Sequence, residues 1–229
     1  MSPHITPQNT IITFDIHGVL FKPDRKKIAH LAWRNKKAFL IGFYFLNPKF
    51  AYQVLSLKLK RAVPEEYFMR LTHHYPSLER YKKLAIDISN AQTPQPEIID
   101  IAQKLKNLGY TLHLFSNIGN AIAKELSASY PKIFGLFDQI HVPSDANNYT
   151  GKRQPGGFAL YQTECNPMQK KIILIDDNKQ NMTRAAQANM IGIYFKNSQQ
   201  LRSDLEQLKM IPIHPEGSSS AAYLKEQSK

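Results

Sequence analysis

IITFDIHGVL, residues 11–20, is an apolar run that ends in an acid, Asp15, and then turns at Gly18. Far downstream, KIILIDDNKQN at residues 171–181 repeats the pattern with Asp176 and Asp177 at its end. In an open parallel sheet, ligands bind beyond the carboxyl ends of the strands, so acids at two such ends can converge on one cation. That arrangement suits phosphate chemistry. Working outward from these runs, the segment from residue 96 onward alternates between helix and strand periodicity. Helices are predicted at 96–108, 119–129, 157–165, 179–189 and 199–209, and strands at 110–115, 139–142, 172–175 and 191–195. Strands separated by single helices imply right-handed crossovers and a doubly wound α/β core of Rossmann-like type.

Between the first strand and this alternation, residues 22–92 carry only helical spacings, for example Ile28, Leu31 and Ala32, or Leu78, Tyr81 and Leu84. Pro48, Pro64 and Pro76 fall where helices would start, and Pro94 and Pro96 mark the return to the core. The expected organisation is a discontinuous core of residues 1–21 and 93–213 with an all-helical insert at 22–92. The polar run at 214–229 reads as a flexible tail.

The 229 residues suffice for one sizeable core, and an apolar content of 42% is ordinary for a globular chain. A single cysteine, Cys165, excludes an internal disulfide framework and fits a reducing compartment; it reads as a packing residue. The first ten residues lack the basic and apolar regions of a secretory signal, so a cytoplasmic setting is expected. The apolar stretch 38–57 is interrupted by Asn47, Pro48 and Lys49, which points to two buried helices rather than a membrane span. Fifteen lysines and arginines against four acids between residues 22 and 83 give the insert +11 of the net +12. Such a field would draw a phosphorylated small molecule, or hold an acidic macromolecule or anionic membrane surface.

Each strand end offers chemistry beside a plainer reading. Asp15 could bind a divalent cation and attack phosphorus, or simply cap a turn. Ser116 and Asn117, in LHLFSNIGN at 112–120, could bind phosphoryl oxygens together with the N–H groups of the next helix, or serve as N-caps. The adjacent Asp176 and Asp177 repel one another, which a cation would relieve. Asn181, one turn on, is expected to bond to Asp177 or to a metal-bound water.

Taken together, FDIHGVLF, the strand ending FSN and ILIDDNKQN resemble the haloacid dehalogenase (HAD)-like hydrolase superfamily from about Thr10 to Lys209. The resemblance implies that Asp15 is a nucleophile forming an aspartyl-phosphate. It implies a Mg²⁺ held by Asp15, the backbone carbonyl of His17 and Asp177 with Asp176 in support, and Ser116 and Asn117 as phosphate ligands. The insert corresponds to the helical cap of one subclass.

Two positions depart from the family pattern. Phosphatases of the family carry a second acid two residues after the nucleophile, where this chain has His17. An imidazole could perform both proton transfers, or its presence could mark a loss of activity. The family lysine falls on Gln154, which carries no charge, so Lys152 is the candidate replacement and Arg153 a substrate contact, unless both are solvated loop cations. The leading expectation is a Mg²⁺-dependent phosphomonoester hydrolase. The alternatives are a catalytically silent binding protein using its basic insert, and a dehalogenase-like hydrolase.

Overall fold

The computed structural model describes residues 5–35, 46–59 and 71–212. Its centre is a five-stranded, wholly parallel sheet of β1 (Thr10–Phe14), β4 (Thr111–Phe115), β5 (Gln139–His141), β6 (Lys171–Asp176) and β7 (Ile191–Tyr194), in the order β5-β4-β1-β6-β7. All five residues of β1 are buried, as a central strand covered on both faces requires. Successive side chains serve opposite faces. Ile12 and Phe14 join the cluster under α4 (Pro96–Asn107), α5 (Asn120–Ser129) and α9 (Ser198–Gln207), whereas Ile11 joins the cluster under α7 (Gly157–Cys165) and α8 (Lys179–Gln187). The alternating elements of the sequence therefore appear where their periodicity places them, with ends moved by one or two residues.

On the α7 face, Thr13 and His113 are buried polar residues within this apolar surround. Both meet the Tyr161 hydroxyl, at 2.7 Å from Thr13 Oγ1 and 2.9 Å from His113 Nδ1, which satisfies them without water.

The strand order reverses at β1, which leads to β4 on one side and has β6 on the other. Asp15 continues β1 by donating its N–H to the Ile175 carbonyl at 2.9 Å, so it emerges beside Asp176 at the end of β6. This is the switch-point crevice of a doubly wound sheet.

The insert leaves and returns through a ribbon with no counterpart in the sequence reading. β2 (Phe21–Pro23) pairs antiparallel with β3 (Gln92–Pro94). Between them lie α1 (Arg25–Arg34), capped by Asp24 accepting from the Lys27 N–H at 3.0 Å, then α2 (Pro48–Leu59), a 3₁₀ turn (Pro76–Tyr81) and α3 (Lys82–Ser89). Phe50, Leu71, Leu78, Tyr81 and Leu84 form an apolar cluster of their own, separate from the two clusters of the sheet. The expectation of two buried helices across 38–57 needs correction for α2. Phe50 is 2% exposed but Tyr52 is 72% exposed, so this helix is amphipathic and buries one stripe only. Residues 38–45, Pro64 and the tail at 214–229 lie outside the described residues. Among the described residues no helix is long and apolar enough to cross a membrane.

Candidate active site

The loop after β1 turns back at once: the Gly18 N–H donates to the Phe21 carbonyl at 2.8 Å, and the Leu20 N–H to the Ile16 carbonyl at 3.1 Å. Gln95, just before α4, clamps the turn by donating to the Gly18 carbonyl at 3.1 Å and the Val19 carbonyl at 2.5 Å. Gly18 has φ +82°, and a Cβ there would lie 2.0 Å from Asp177 Oδ2. Only glycine permits both the turn and the approach of the Asp177 carboxylate.

Asp15 sits at the centre. Its Oδ1 accepts from the Ser116 hydroxyl at 2.7 Å and from the Ile16 N–H at 2.7 Å, and its Oδ2 lies 3.1 Å from Lys152 Nζ. Lys152 is fully buried and also pairs with Asp176. Asp176 is completed by the Asn178 N–H at 2.8 Å and by the Asn181 amide, which donates to both carboxylate oxygens at 3.0 and 2.9 Å. Asn181 thus bonds to Asp176 and not to Asp177 as the sequence suggested. Asp176 is still part of β6, so its carboxylate points back under the first turn of α8, where residue 181 lies.

Electrostatics follow from burial. Desolvation pushes the Asp15 carboxyl up to about 6, with Lys152 opposing and Asp176 adding to the rise. Burial alone would lower Lys152, but Asp15 and Asp176 together hold it above its ordinary value. Asp177 is raised by partial burial and by Asp176. His17 falls to about 4 through burial and the neighbouring Lys152, which keeps its ring neutral at physiological pH.

The structure therefore gathers Asp15, Ser116, Lys152 and Asp176 into one hydrogen-bonded cluster, with Asp177 against Gly18 at its edge. His17 makes a short contact with Gln92 on β3. Asn117 is half-buried beside Gly151, where a Cβ would approach its Oδ1 to 2.8 Å. Arg153 is exposed and stands outside the buried cluster. Gln154 has a different task from the lysine it replaces in sequence: its Oε1 accepts from the Gly151 N–H at 2.9 Å and closes the turn that sends Lys152 inward. Sequence reasoning passed over Gln92 and Gln95, because isolated glutamines at an insert boundary carry no spacing signal.

Carboxylate oxygens of Asp15, Asp176 and Asp177 all lie within 4.8 Å of one another. An all-oxygen donor set fits a hard divalent cation such as Mg²⁺. The raised affinity of Asp15 and Asp177 for protons is the same surplus of negative potential that a cation would discharge. Ahead of α5, the N-cap is Gly119 with no side-chain cap, which leaves first-turn N–H groups available to an anion.

No protein-family model matches the chain, and no curated protein does. Solved structures do. A predicted HAD-like family hydrolase from Porphyromonas gingivalis superposes with a TM-score of 0.58 at 20% identity, over 87% of this chain and 97% of that one. An L-2-haloacid dehalogenase from Xanthobacter autotrophicus with chloropropionic acid covalently bound gives 0.54 at 15% identity, over 91% and 85%. A HAD family enzyme from Bacteroides thetaiotaomicron in complex with magnesium and inorganic phosphate gives 0.53 at 16%, over 82% and 94%. The fold is that of the HAD-like hydrolases, with a Rossmann-like α/β core.

Proposed function

We propose that the protein is a Mg²⁺-dependent phosphomonoester hydrolase that works through an aspartyl-phosphate on Asp15. The observation that carries this reading is Lys152, wholly buried and shared between Asp15 and Asp176 beside the Ser116 hydroxyl. A buried cation tied to a nucleophilic carboxylate and next to a hydroxyl donor is built for an anion that gains charge at that carboxylate. Mg²⁺, held by Asp15, Asp177 and the His17 carbonyl with Asp176 behind, would supply neutralisation of the phosphoryl oxygens.

In the first half-reaction an Asp15 oxygen bonds to phosphorus, and the ester P–O bond breaks with its electron pair leaving on the departing oxygen. Ser116, Asn117 and Lys152 hold the non-bridging oxygens, since positioning and electrostatics dominate phosphoryl transfer. In the second, water attacks phosphorus, the bond to Asp15 breaks, and the carboxylate returns. His17 is the titratable side chain nearest in sequence to the nucleophile and is the candidate for proton movement in these steps. The basic insert would draw the anionic substrate toward the crevice, and a cytoplasmic setting remains part of the reading.

The test is hydrolysis of p-nitrophenyl phosphate. Turnover that requires Mg²⁺ and vanishes in Asp15→Asn supports the reading, and turnover that survives both Asp15→Asn and a chelator refutes it. A dehalogenase-like hydrolase, in which Asp15 attacks carbon, is the second reading, favoured by the absence of an acid at position 17. Chloride release from 2-chloropropionate without metal would establish it. The cluster of three carboxylates argues for the metal-dependent reaction, because a metal-free site gains nothing from mutual repulsion.

A further inference from the structure

In this structure the amide nitrogen of Gln92 is committed to two acceptors. It donates to the Ser89 carbonyl at 2.7 Å, and it meets His17 Nε2. The Ser89 contact fixes which end of the amide is nitrogen, because a carbonyl oxygen accepts only and would repel the other end. His17 Nε2 is therefore an acceptor. A ring whose Nε2 bears a lone pair is neutral and carries its proton on Nδ1. Gln92 is 5% exposed and lies on β3, paired through the ribbon to Pro23, so it is held in place by the strand that returns from the insert.

A phosphoester whose leaving group is an alkoxide needs a proton as the P–O bond breaks. The family position that would give it holds a neutral imidazole here, with Nε2 already engaged. We infer that Gln92 fixes His17 as a neutral acceptor, so that the site selects phosphoryl donors whose leaving group departs without a proton, such as acyl phosphates, phosphoanhydrides or phosphates of acidic phenols. Gln92 is on this account a positioning residue, acting through His17. The inference rests on the phosphatase reading and adds to it the class of substrate.

Its test is a leaving-group series run with Mg²⁺: acetyl phosphate, p-nitrophenyl phosphate, phenyl phosphate and glycerol phosphate. The expected kcat/KM falls on the order of a hundredfold or more from p-nitrophenyl to glycerol phosphate, the usual size of a missing general acid. His17→Asp, which restores an acid, should flatten the series by raising glycerol phosphate turnover. Glycerol phosphate hydrolysed within about tenfold of p-nitrophenyl phosphate would overturn the inference while leaving the phosphatase reading intact. No turnover of any member, with no beryllofluoride adduct on Asp15, would overturn the phosphatase reading and the inference together. Side-chain ¹⁵N shifts of His17 give a readout independent of turnover. A bare Nε2 with Nδ1–H at neutral pH supports the assignment, and an imidazolium or an Nε2–H tautomer overturns it. In Gln92→Leu the Nδ1–H preference should be lost, and its persistence counts against the positioning role.

Discussion

Replacing Lys152 with methionine keeps the length of the side chain and removes its charge from a place that water does not reach. The Lys152 side chain is 0% exposed, and so is Asp176, while Asp15 is 11% exposed. Breaking a buried ion pair from one side costs about 3–5 kcal/mol, because the partner is left charged and unpaired. Here two carboxylates lose the same cation, although Asn181 and Ser116 go on serving one each. A loss of about 3–5 kcal/mol is a large part of the ~5–15 kcal/mol that holds a domain together.

The loss must also depend on pH. With Lys152 present the Asp15 carboxyl already sits at about 6, against 3.8 ordinarily, so the folded state binds the proton more tightly than the unfolded state. A raised folded pKa means stability that is present below the unfolded value and lost as pH rises through the folded one. Removing Lys152 withdraws the main influence holding Asp15 down and extends that loss to higher pH. Urea unfolding followed by circular dichroism should show the deficit of Lys152→Met relative to wild type to be larger at pH 7.5 than at pH 5.5. Adding Asp176→Asn should recover part of it. A deficit under about 1 kcal/mol at pH 7.5, or one equal at both pH values, would refute the burial and pairing on which the site is built.

Gly18→Ala combines a positive φ with a Cβ driven 2.0 Å from Asp177 Oδ2. The backbone cost alone is about 1 kcal/mol, and the displaced carboxylate should weaken Mg²⁺ binding, read by calorimetric titration of wild type and variant. His113 gives acid sensitivity. Burial takes it down from 6.5 to about 4, so the unfolded chain takes up a proton first and stability falls as pH drops across that window. Urea midpoints should decline from pH 6.5 to pH 4, and less steeply in His113→Asn. Cys165 is buried, with its thiol pushed up to about 11 by burial and Glu164, so a disulfide reagent at pH 7.5 should label it only in urea.

The core was legible because β1 and β6 bury both faces, which turns each into an unbroken apolar run, and because the acids at their ends interrupt those runs abruptly. Three features escaped for distinct reasons. β2 and β3 have three residues each, with Pro23 and Pro94 among them, too short and too irregular to show alternation. The contact of Asn181 with Asp176 depends on how a strand end meets the next helix, which helical spacing measured from Asp177 does not describe. Lys152 was a candidate only by proximity to position 154, and its burial results from the Gly151–Gln154 turn, a hydrogen bond between a backbone N–H and a glutamine that no motif announces. Thr13, His113 and Tyr161 likewise form a polar core contact across residues 13 to 161 that only the folded sheet brings together.

The central claim is that Asp15 takes up phosphorus. It is tested most directly by incubating the protein with acetyl phosphate and Mg²⁺, quenching in acid and mapping peptides by mass spectrometry. The account predicts one acid-stable, hydroxylamine-labile phosphoryl group on Asp15, absent from Asp15→Asn and strongly reduced in Asp177→Asn. A phosphoryl group found on another residue, or an Asp15 peptide that stays unmodified while phosphate is released, would contradict it.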